Sequence, residues 1–369
     1  MKQSIKIARI ITGVLFIFSG LVKAIDPLGL GYKMREFFEA WANDGFLKGL
    51  MHNLNEYALF FSVVMITLEV VVGAALLLGW QKKLTTWLLL LLMIFFTFLT
   101  SYVLFTGKIR ACGCFGDCIP LTPVQTFTKD IILLLLACML LINRKHIHPV
   151  AKPWINSFYI LLVALLTLLL QWYVLKHLPL VDCLPYKKGN DILKLRQLPA
   201  DAVMDKYDYT FIYEKNGEKR EFPSTALPDS TWKFSDRSQK LVEKGRNNVP
   251  VINDFSLTAQ DGSDVTTTIL SDSATYYLFF INEVDKNSTK WISGIRKFIE
   301  DSSHKVYAVT SQKALTSDFL LKNNIPVKDV LTVDATALKT VARTNPALYK
   351  MKGPVVQNKW SWADFDEVE

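Results

Sequence analysis

The sequence predicts an α-helical membrane bundle, a four-helix core plus a fifth helix, followed by an extracytoplasmic α/β domain. Two observations predict this fold class. Half of the 369 residues are hydrophobic, and the mean hydropathy of +0.22 is high for a soluble protein. Residues 1–176 carry 16 Lys and Arg against 8 Asp and Glu, whereas residues 177–369 carry 26 of each. Because the net positive charge lies in the apolar half, nucleic-acid binding is not expected.

Five apolar segments have about the length that crosses a bilayer, roughly 20 residues. Each must be a helix, because lipid offers the backbone no hydrogen-bond partner. They are Ile5–Ala24, Tyr57–Trp80, Leu84–Thr106, Phe127–Ile142 and Trp154–Leu175. The predicted domains are a four-helix membrane domain (1–146), the fifth helix and its exit (147–183), a β-rich connector (184–248) and an α/β domain (249–369).

The charges that flank these spans predict the orientation of the chain. Three stretches contain eight basic residues and no acidic one: Lys2, Lys6, Arg9, Lys82, Lys83, Arg144, Lys145 and Lys152. Such stretches face the cytoplasm. The N-terminus is therefore expected in the cytoplasm of a multi-pass protein of the inner membrane. An odd number of spans then places the α/β domain on the periplasmic side.

The first outer loop carries its own amphipathic pattern. Apolar residues recur at helical spacing from Tyr32 to Leu54, with a break at Asn43-Asp44-Gly45. The spacing predicts two short helices that either lie in the outer interface or pack on the bundle as a lid.

Four of the five cysteines are expected on the outer side. Cys112, Cys114 and Cys118 lie within seven residues after the third span, and Cys183 follows the fifth. Three interpretations remain open. The loop is a redox-active site with a resolving thiol, a set of structural disulfides, or a metal or cluster site. The structural disulfides would be, for example, Cys112 or Cys114 with Cys118 and another pairing to Cys183, which could tie the two halves of the chain together. Cys138, in the fourth span, is expected to be a small buried hydrophobe.

Three ionisable residues fall within or at the ends of the spans. Glu69 lies near the middle of the second span, where a charge is costly, so it is either a proton carrier or a neutral structural acid. Lys23 closes the first span and Asp130 opens the fourth. These two are expected to pair with each other or to extend to water.

These residues also carry a resemblance to the DoxX/MauE group of redox-associated membrane proteins. The similar parts are the run from Phe18 to Pro27, Glu69 followed by Gly73, and the Cys112–Cys118 loop followed by Pro120, Pro123 and Lys129-Asp130. The resemblance implies a four-helix bundle linked to membrane redox chemistry. It also implies that Cys112, Cys114 and Cys118 form the redox loop, that Glu69 is the intramembrane acid, and that a quinone is the candidate cofactor.

The soluble half is predicted to contain strands first and then alternating strands and helices. Asn216-Gly217 supplies the positive backbone angles of a tight hairpin turn between strands near Tyr209 and Phe222. From residue 249 onward, three buried strands alternate with helices, and the chain ends in a further hairpin.

This alternation resembles the thioredoxin-like fold over residues 249–369. Phe255 to Gly262 is similar to its entry hairpin, and Asn345-Pro346 stands where that family has its cis-proline, so Pro346 is a candidate site residue. The chain departs from the family because it has no cysteine after Cys183. The resemblance therefore implies a domain that binds an extracytoplasmic protein partner without dithiol chemistry of its own, or a plain structural cap.

Two functions follow as hypotheses. In the first, the protein passes electrons between the cysteine loop and a quinone or membrane partner. A loop thiolate attacks a disulfide of the partner protein, a neighbouring sulfur resolves the mixed disulfide, and Glu69 handles a proton. In the second, the protein is a membrane-anchored scaffold of an envelope complex, and its cysteines form structural disulfides.

Overall fold

The computed structural model describes residues 2–109, 113, 115–284 and 290–368. The N-terminal half forms seven α-helices: α1 (Lys2–Ala24), α2 (Pro27–Asn43), α3 (Lys48–Glu56), α4 (Ala58–Leu78), α5 (Lys82–Thr106), α6 (Pro123–Ile142) and α7 (Pro153–Lys176). Among the described residues, five helices (α1, α4, α5, α6 and α7) are long and apolar enough to cross a membrane. The five predicted spans are therefore confirmed, and the chain is a multi-pass membrane protein.

Small residues allow α1 and α4 to pack closely. A Cβ atom added at Gly73 of α4 would lie 2.8 Å from the carbonyl oxygen of Gly13 in α1. Two turns further along α1, a Cβ at Gly20 would lie 2.5 Å from the side chain of Val70. Glycines at both positions let the two backbones approach, as is common where helices cross in membranes. This crossing fixes α4, and Glu69 with it, against α1.

The two short helices α2 and α3 confirm the pattern in the first outer loop. The Asp26 side chain caps α2 by accepting a hydrogen bond from Gly29 N–H at 3.0 Å. Phe37 of α2 is buried against Leu99 and Val103 of α5. This packing matches a lid on the bundle, and it holds α2 at the end where the loop between α5 and α6 begins.

A small antiparallel sheet follows α7 and the short helix α8 (Ile192–Leu195). Its strands are β1 (Lys206–Lys215), β2 (Glu218–Pro223) and β3 (Lys233–Glu243), in the order β2-β1-β3. The predicted hairpin is confirmed, because Asn216 and Gly217 both have positive φ, at 53° and 84°, between paired strands β1 and β2. The third strand, β3, was not predicted.

A five-stranded sheet forms the centre of the C-terminal α/β region. Its strands are β4 (Thr275–Ile281), β5 (Lys305–Thr310), β6 (Asp329–Thr332), β7 (Ala347–Lys352) and β8 (Val355–Ser361), in the order β6-β5-β4-β7-β8. Strands β4, β5 and β6 are parallel, and β7 and β8 are antiparallel additions. The helices are α9 (Thr266–Leu270), α10 (Ile292–Asp301), α11 (Lys313–Lys322) and α12 (Ala335–Val341).

The central strand β4 is buried on both faces. Its residues Leu278 and Phe280 join a core that includes Leu338 of α12, whereas Phe279 joins a second core with Ile295 of α10. A parallel sheet covered on both faces explains the continuous apolar run in the sequence. The last residues of β4 lie beside the first residues of β7 at one end of the strands. We call this the docked end of the sheet, because Asn282, directly after β4, contacts Tyr32 of α2.

Candidate functional site

The cysteine loop (residues 112–118) connects α5 to α6 at one end of the bundle. Cys112 and Cys114 lie outside the described residues. The Phe115 ring lies 6.0 Å from that of Phe18 in α1, and Lys129 Nζ of α6 lies 4.8 Å from the centre of the Phe115 ring. Phe115 therefore anchors the loop on two membrane helices.

A disulfide joins the loop to the segment that follows α7. The bond connects Cys118 and Cys183, which are 65 residues apart. The sequence left the pairing open and allowed Cys183 to tie the two halves together, and the structure contains this link. It also shows that the α/β region and the loop lie at the same end of the bundle, as five spans predict. Cys138 is a free, half-buried thiol in α6.

Arg343 connects the α/β region to the loop by charge. It follows α12, and its side chain is 7% exposed. Its Nε donates to Asp26 at 2.8 Å, and its Nη2 donates to Asp117 of the loop at 2.6 Å. Burial alone would lower the pKa of Arg343, but the carboxylates of Asp26 and Asp117 outweigh it and hold the pKa above its ordinary value. One buried cation therefore holds the start of α2 and the loop together.

The docked end of the sheet, where β4 ends and β7 begins, also contacts α2. Asn282, directly after β4, donates from its side-chain amide to Tyr32 Oη at 3.2 Å. The guanidinium of Arg343 lies 5.6 Å from the centre of the Tyr32 ring, and burial raises the pKa of that phenol. Asn345 Oδ1 accepts from Asn282 N–H at 3.0 Å, and the Asn345-Pro346 peptide bond is cis. The candidate residue Pro346, directly before β7, therefore lies at the docked end of the sheet.

A cavity opens between α2, the cysteine loop and α12. Its volume is about 490 Å³, and its lining includes Tyr32, Asp117, Cys183, Lys339 and Arg343. Charged and polar side chains dominate this lining. The cavity reaches Cys183 of the disulfide and Asp117 of the loop.

Two pairs of opposite charges lie beneath the loop, and the first is fully buried. Lys23 of α1 pairs with Glu69 of α4, and their side chains are 4% and 5% exposed. In α6, Lys129 pairs with Asp130 at 2.9 Å. The expectation that Lys23 and Asp130 pair with each other or extend to water is wrong. The α1–α4 crossing brings Lys23 to Glu69 and not to Asp130, and burial keeps both side chains from water.

A small cavity lies between these two ion pairs. Its volume is about 20 Å³, and Lys23, Glu69, Asp130 and Phe115 line it. That volume accommodates about one water molecule. The Oδ2 atom of Asp130 is buried and has no hydrogen-bond partner among the described residues. The cavity brings the Phe115 ring of the loop close to the carboxylates of Glu69 and Asp130.

A separate, apolar cavity opens between α4 and α5 beneath α2. Its volume is about 380 Å³, and it is lined by apolar and aromatic side chains, among them Phe37, Trp41, Phe61, Leu92 and Phe95. The indole Nε1 of Trp41 is buried and has no partner in the part of the chain that the structure describes. The cavity therefore offers apolar volume and almost no polar surface.

Comparison with known protein families gives a match in the membrane part. A family model described as methylamine utilisation protein MauE matches residues 1–143. These residues form a MauE-like membrane region. A second model, a domain of unknown function (DUF8463), matches residues 207–244, which contain β1, β2 and β3. Neither a curated protein nor a solved structure matches the chain.

The MauE part of the resemblance is confirmed, and the DoxX part and the thioredoxin-like fold stay predictions. The MauE-like region contains Glu69, Lys23, Asp130 and the loop, which sequence patterns identified. No sequence pattern indicated that Arg343 and Asp117 pair, because they lie 226 positions apart. The one available signal was the position of Arg343, three residues before Pro346.

Proposed function

We propose that the protein is a membrane component of a thiol–disulfide exchange system, with the cysteine loop as its reactive centre. One observation carries this proposal. The loop lies between buried ionisable groups on its membrane side and a docked α/β region on its other side, with Asp117 bonded to Arg343. The membrane setting and the similarity to a MauE family model support a role in a redox-linked system.

The orientation follows the predicted sidedness. The loops between α4 and α5 and between α6 and α7 carry Lys82, Lys83, Arg144 and Lys145 and face the cytoplasm. The cysteine loop and the α/β region then lie on the periplasmic side of an inner membrane. A disulfide at this end, Cys118–Cys183, agrees with an oxidising compartment.

Cys112 and Cys114 form the exchanging pair, since Cys118 is already bonded to Cys183. A thiolate of the partner protein attacks one sulfur of a Cys112–Cys114 disulfide, so that this bond breaks and a mixed disulfide forms. A second thiolate of the partner then attacks the mixed disulfide. The partner leaves with a new disulfide, and the loop keeps two thiols. With a reduced loop the same exchange runs in the opposite direction and reduces the partner.

Restoring the loop disulfide releases two electrons and two protons, and the buried charges handle the protons. Asp130 lines the water-sized cavity below Phe115 and is the first carboxylate on this path. Glu69, held by Lys23, lines the same cavity and is the next. Carboxylates are among the side chains that accept and release protons in general acid–base steps.

A membrane quinone is the electron acceptor in this proposal. Its isoprenoid tail would lie in the cavity between α4 and α5, which is lined by aliphatic and aromatic side chains. When bound, a quinone supplies the capacity to take up two electrons and two protons. Phe95 of α5 lines this cavity, whereas its neighbour Phe96 lies beside Lys23. The single helix α5 therefore separates the apolar cavity from the Lys23–Glu69 pair.

The α/β region acts as a thioredoxin-like domain without cysteines of its own. The order of its sheet, with antiparallel β7 and β8 beside parallel β4 and β5, supports this assignment. The docked end of its sheet and the adjoining 490 Å³ cavity direct an extracytoplasmic protein partner to the loop.

The second candidate function is a membrane-anchored scaffold. The Cys118–Cys183 disulfide favours it, because that bond joins the loop to the exit of α7 and acts as a structural link. In this case Cys112 and Cys114 have no exchange role.

Trapping of a mixed disulfide distinguishes the two functions. The Cys114→Ser and Cys112→Ser variants are expressed in cells, and thiol exchange is stopped with acid. The acid is then removed, free thiols are alkylated, and adducts are separated without reductant. Removal of the resolving thiol is expected to accumulate a covalent complex with an exported protein, which a reductant dissolves. Cys138→Ser, which changes the thiol in α6, is the matched control. If neither loop variant yields an adduct beyond this control, the exchange function is wrong and the scaffold remains.

A further inference from the structure

Strand β3 is an uncovered edge of the three-stranded sheet. All 11 of its residues are exposed, and in the described structure it pairs with β1 along one side only. Its other side presents unpaired backbone N–H and C=O groups. A long exposed edge of this kind is a template for pairing with another strand.

The sheet has little support within its own chain. None of the five hydrophobic core clusters of the described residues includes a residue of β1, β2 or β3. One face carries aromatic side chains that contact one another, such as Tyr213 with Phe222 and Phe234, at 5.9 Å in both cases. Three strands without a covering layer are at the lower limit of independent stability. An additional strand along the free edge would extend the sheet.

The order of charges along β3 complements a second copy of itself. If two β3 strands pair antiparallel with Ser238 opposite Ser238, Asp236 lies opposite Lys240, and Lys233 lies opposite Glu243. Each pair occurs twice because of the two-fold symmetry. Opposite charges directly across strands stabilise a sheet, and like charges destabilise it. The register of β3 with β1 is regular from Asp236 to Leu241, so the centre of this pairing is a straight strand segment.

We propose that β3 pairs with β3 of a second copy of this chain about a two-fold axis at Ser238. The product is a six-stranded sheet in which both aromatic faces lie on the same side. The interface is isologous, as in most symmetric dimers. The partner is thus defined by charge complementarity, and it does not depend on the proposed redox function.

Exchange of charges tests the pairing in the full chain. Two differently tagged copies are co-expressed, and co-purification from membranes in mild detergent is measured. Asp236→Lys alone and Lys240→Asp alone each place like charges opposite each other in both pairs, so self-association is expected to fall roughly tenfold. A mixture of the two variants restores opposite charges in both pairs and is expected to recover association. A folding defect at Lys240, which faces Asp208 of β1, would not be repaired in the mixture.

A cross-link at the symmetry axis provides the second measurement. Ser238→Cys is expected to form a disulfide-linked dimer under mild oxidation. The matched control is Ser224→Cys, an exposed serine next to the other edge strand, β2, and it should give no such dimer. Equal association of the wild type, the single variants and the mixture contradicts the proposal. So does capture of another protein along β3 without any self-association.

Discussion

Replacing Glu69 with glutamine is expected to lower strongly the amount of folded protein. Lys23 would remain buried, 4% exposed, without its counter-charge. Removing one partner of a buried ion pair costs about 3–5 kcal/mol. The measurement is the thermal unfolding midpoint and the monodisperse yield of the Glu69→Gln variant in detergent, compared with wild type.

A double substitution separates the structural role of Glu69 from its proposed proton-handling role. In Lys23→Met/Glu69→Met, apolar side chains replace both charges, and such replacements of buried pairs are often neutral or stabilising. We expect this variant to fold, whereas the re-oxidation of the loop thiols slows on the order of 10²-fold, the usual contribution of an acid–base group. A folded double variant that re-oxidises at the wild-type rate would assign the pair to structure alone.

Replacing Arg343 with glutamine is expected to release the α/β region from the cysteine loop. Arg343 bonds both Asp26 and Asp117 and is 7% exposed. Truncation of one partner in a buried, hydrogen-bonded charge pair costs about 2–5 kcal/mol. Hydrogen–deuterium exchange of α2 and of the peptide containing Asp117 should therefore accelerate by at least tenfold, while exchange in the centre of β4 stays unchanged.

Arg35 provides the matched control at the same interface. Its side chain is 30% exposed and lies 3.8 Å from Glu283, and exposed pairs contribute less than about 1 kcal/mol. Arg35→Gln should leave the exchange pattern close to wild type. Arg343→Lys keeps the charge and loses the planar fork, so it should fall between Arg343→Gln and wild type. Identical exchange in Arg343→Gln and Arg35→Gln would show that the ion pairs do not hold the two regions together.

The local elements of the fold were predictable because each has a short-range signal. Apolar length identified the spans, helical spacing with a break at Asn43-Asp44-Gly45 identified α2 and α3, and Asn216-Gly217 identified the hairpin. Strand β3 carries no such signal. All its residues are exposed, so the alternation of buried and exposed positions that marks a strand is missing.

The site was predictable in composition but not in its pairing. Glu69 and the loop cysteines stand out because charges in a span and clustered thiols are rare. The partners depend on how distant segments meet. Lys23 reaches Glu69 because glycines let α1 and α4 cross closely, and Arg343 reaches Asp117 across 226 positions of sequence. No periodicity encodes such contacts.

The redox state of the loop in respiring membranes tests the central claim most directly. Free thiols are labelled with a maleimide before and after the respiratory chain is inhibited, and the labelled peptides are mapped by mass spectrometry. We expect Cys112 and Cys114 to become labelled on inhibition and to be oxidised again when respiration resumes, while Cys118 and Cys183 stay bonded throughout. If Cys112 and Cys114 keep one state under both conditions, the loop exchanges no electrons and the proposed redox function is wrong.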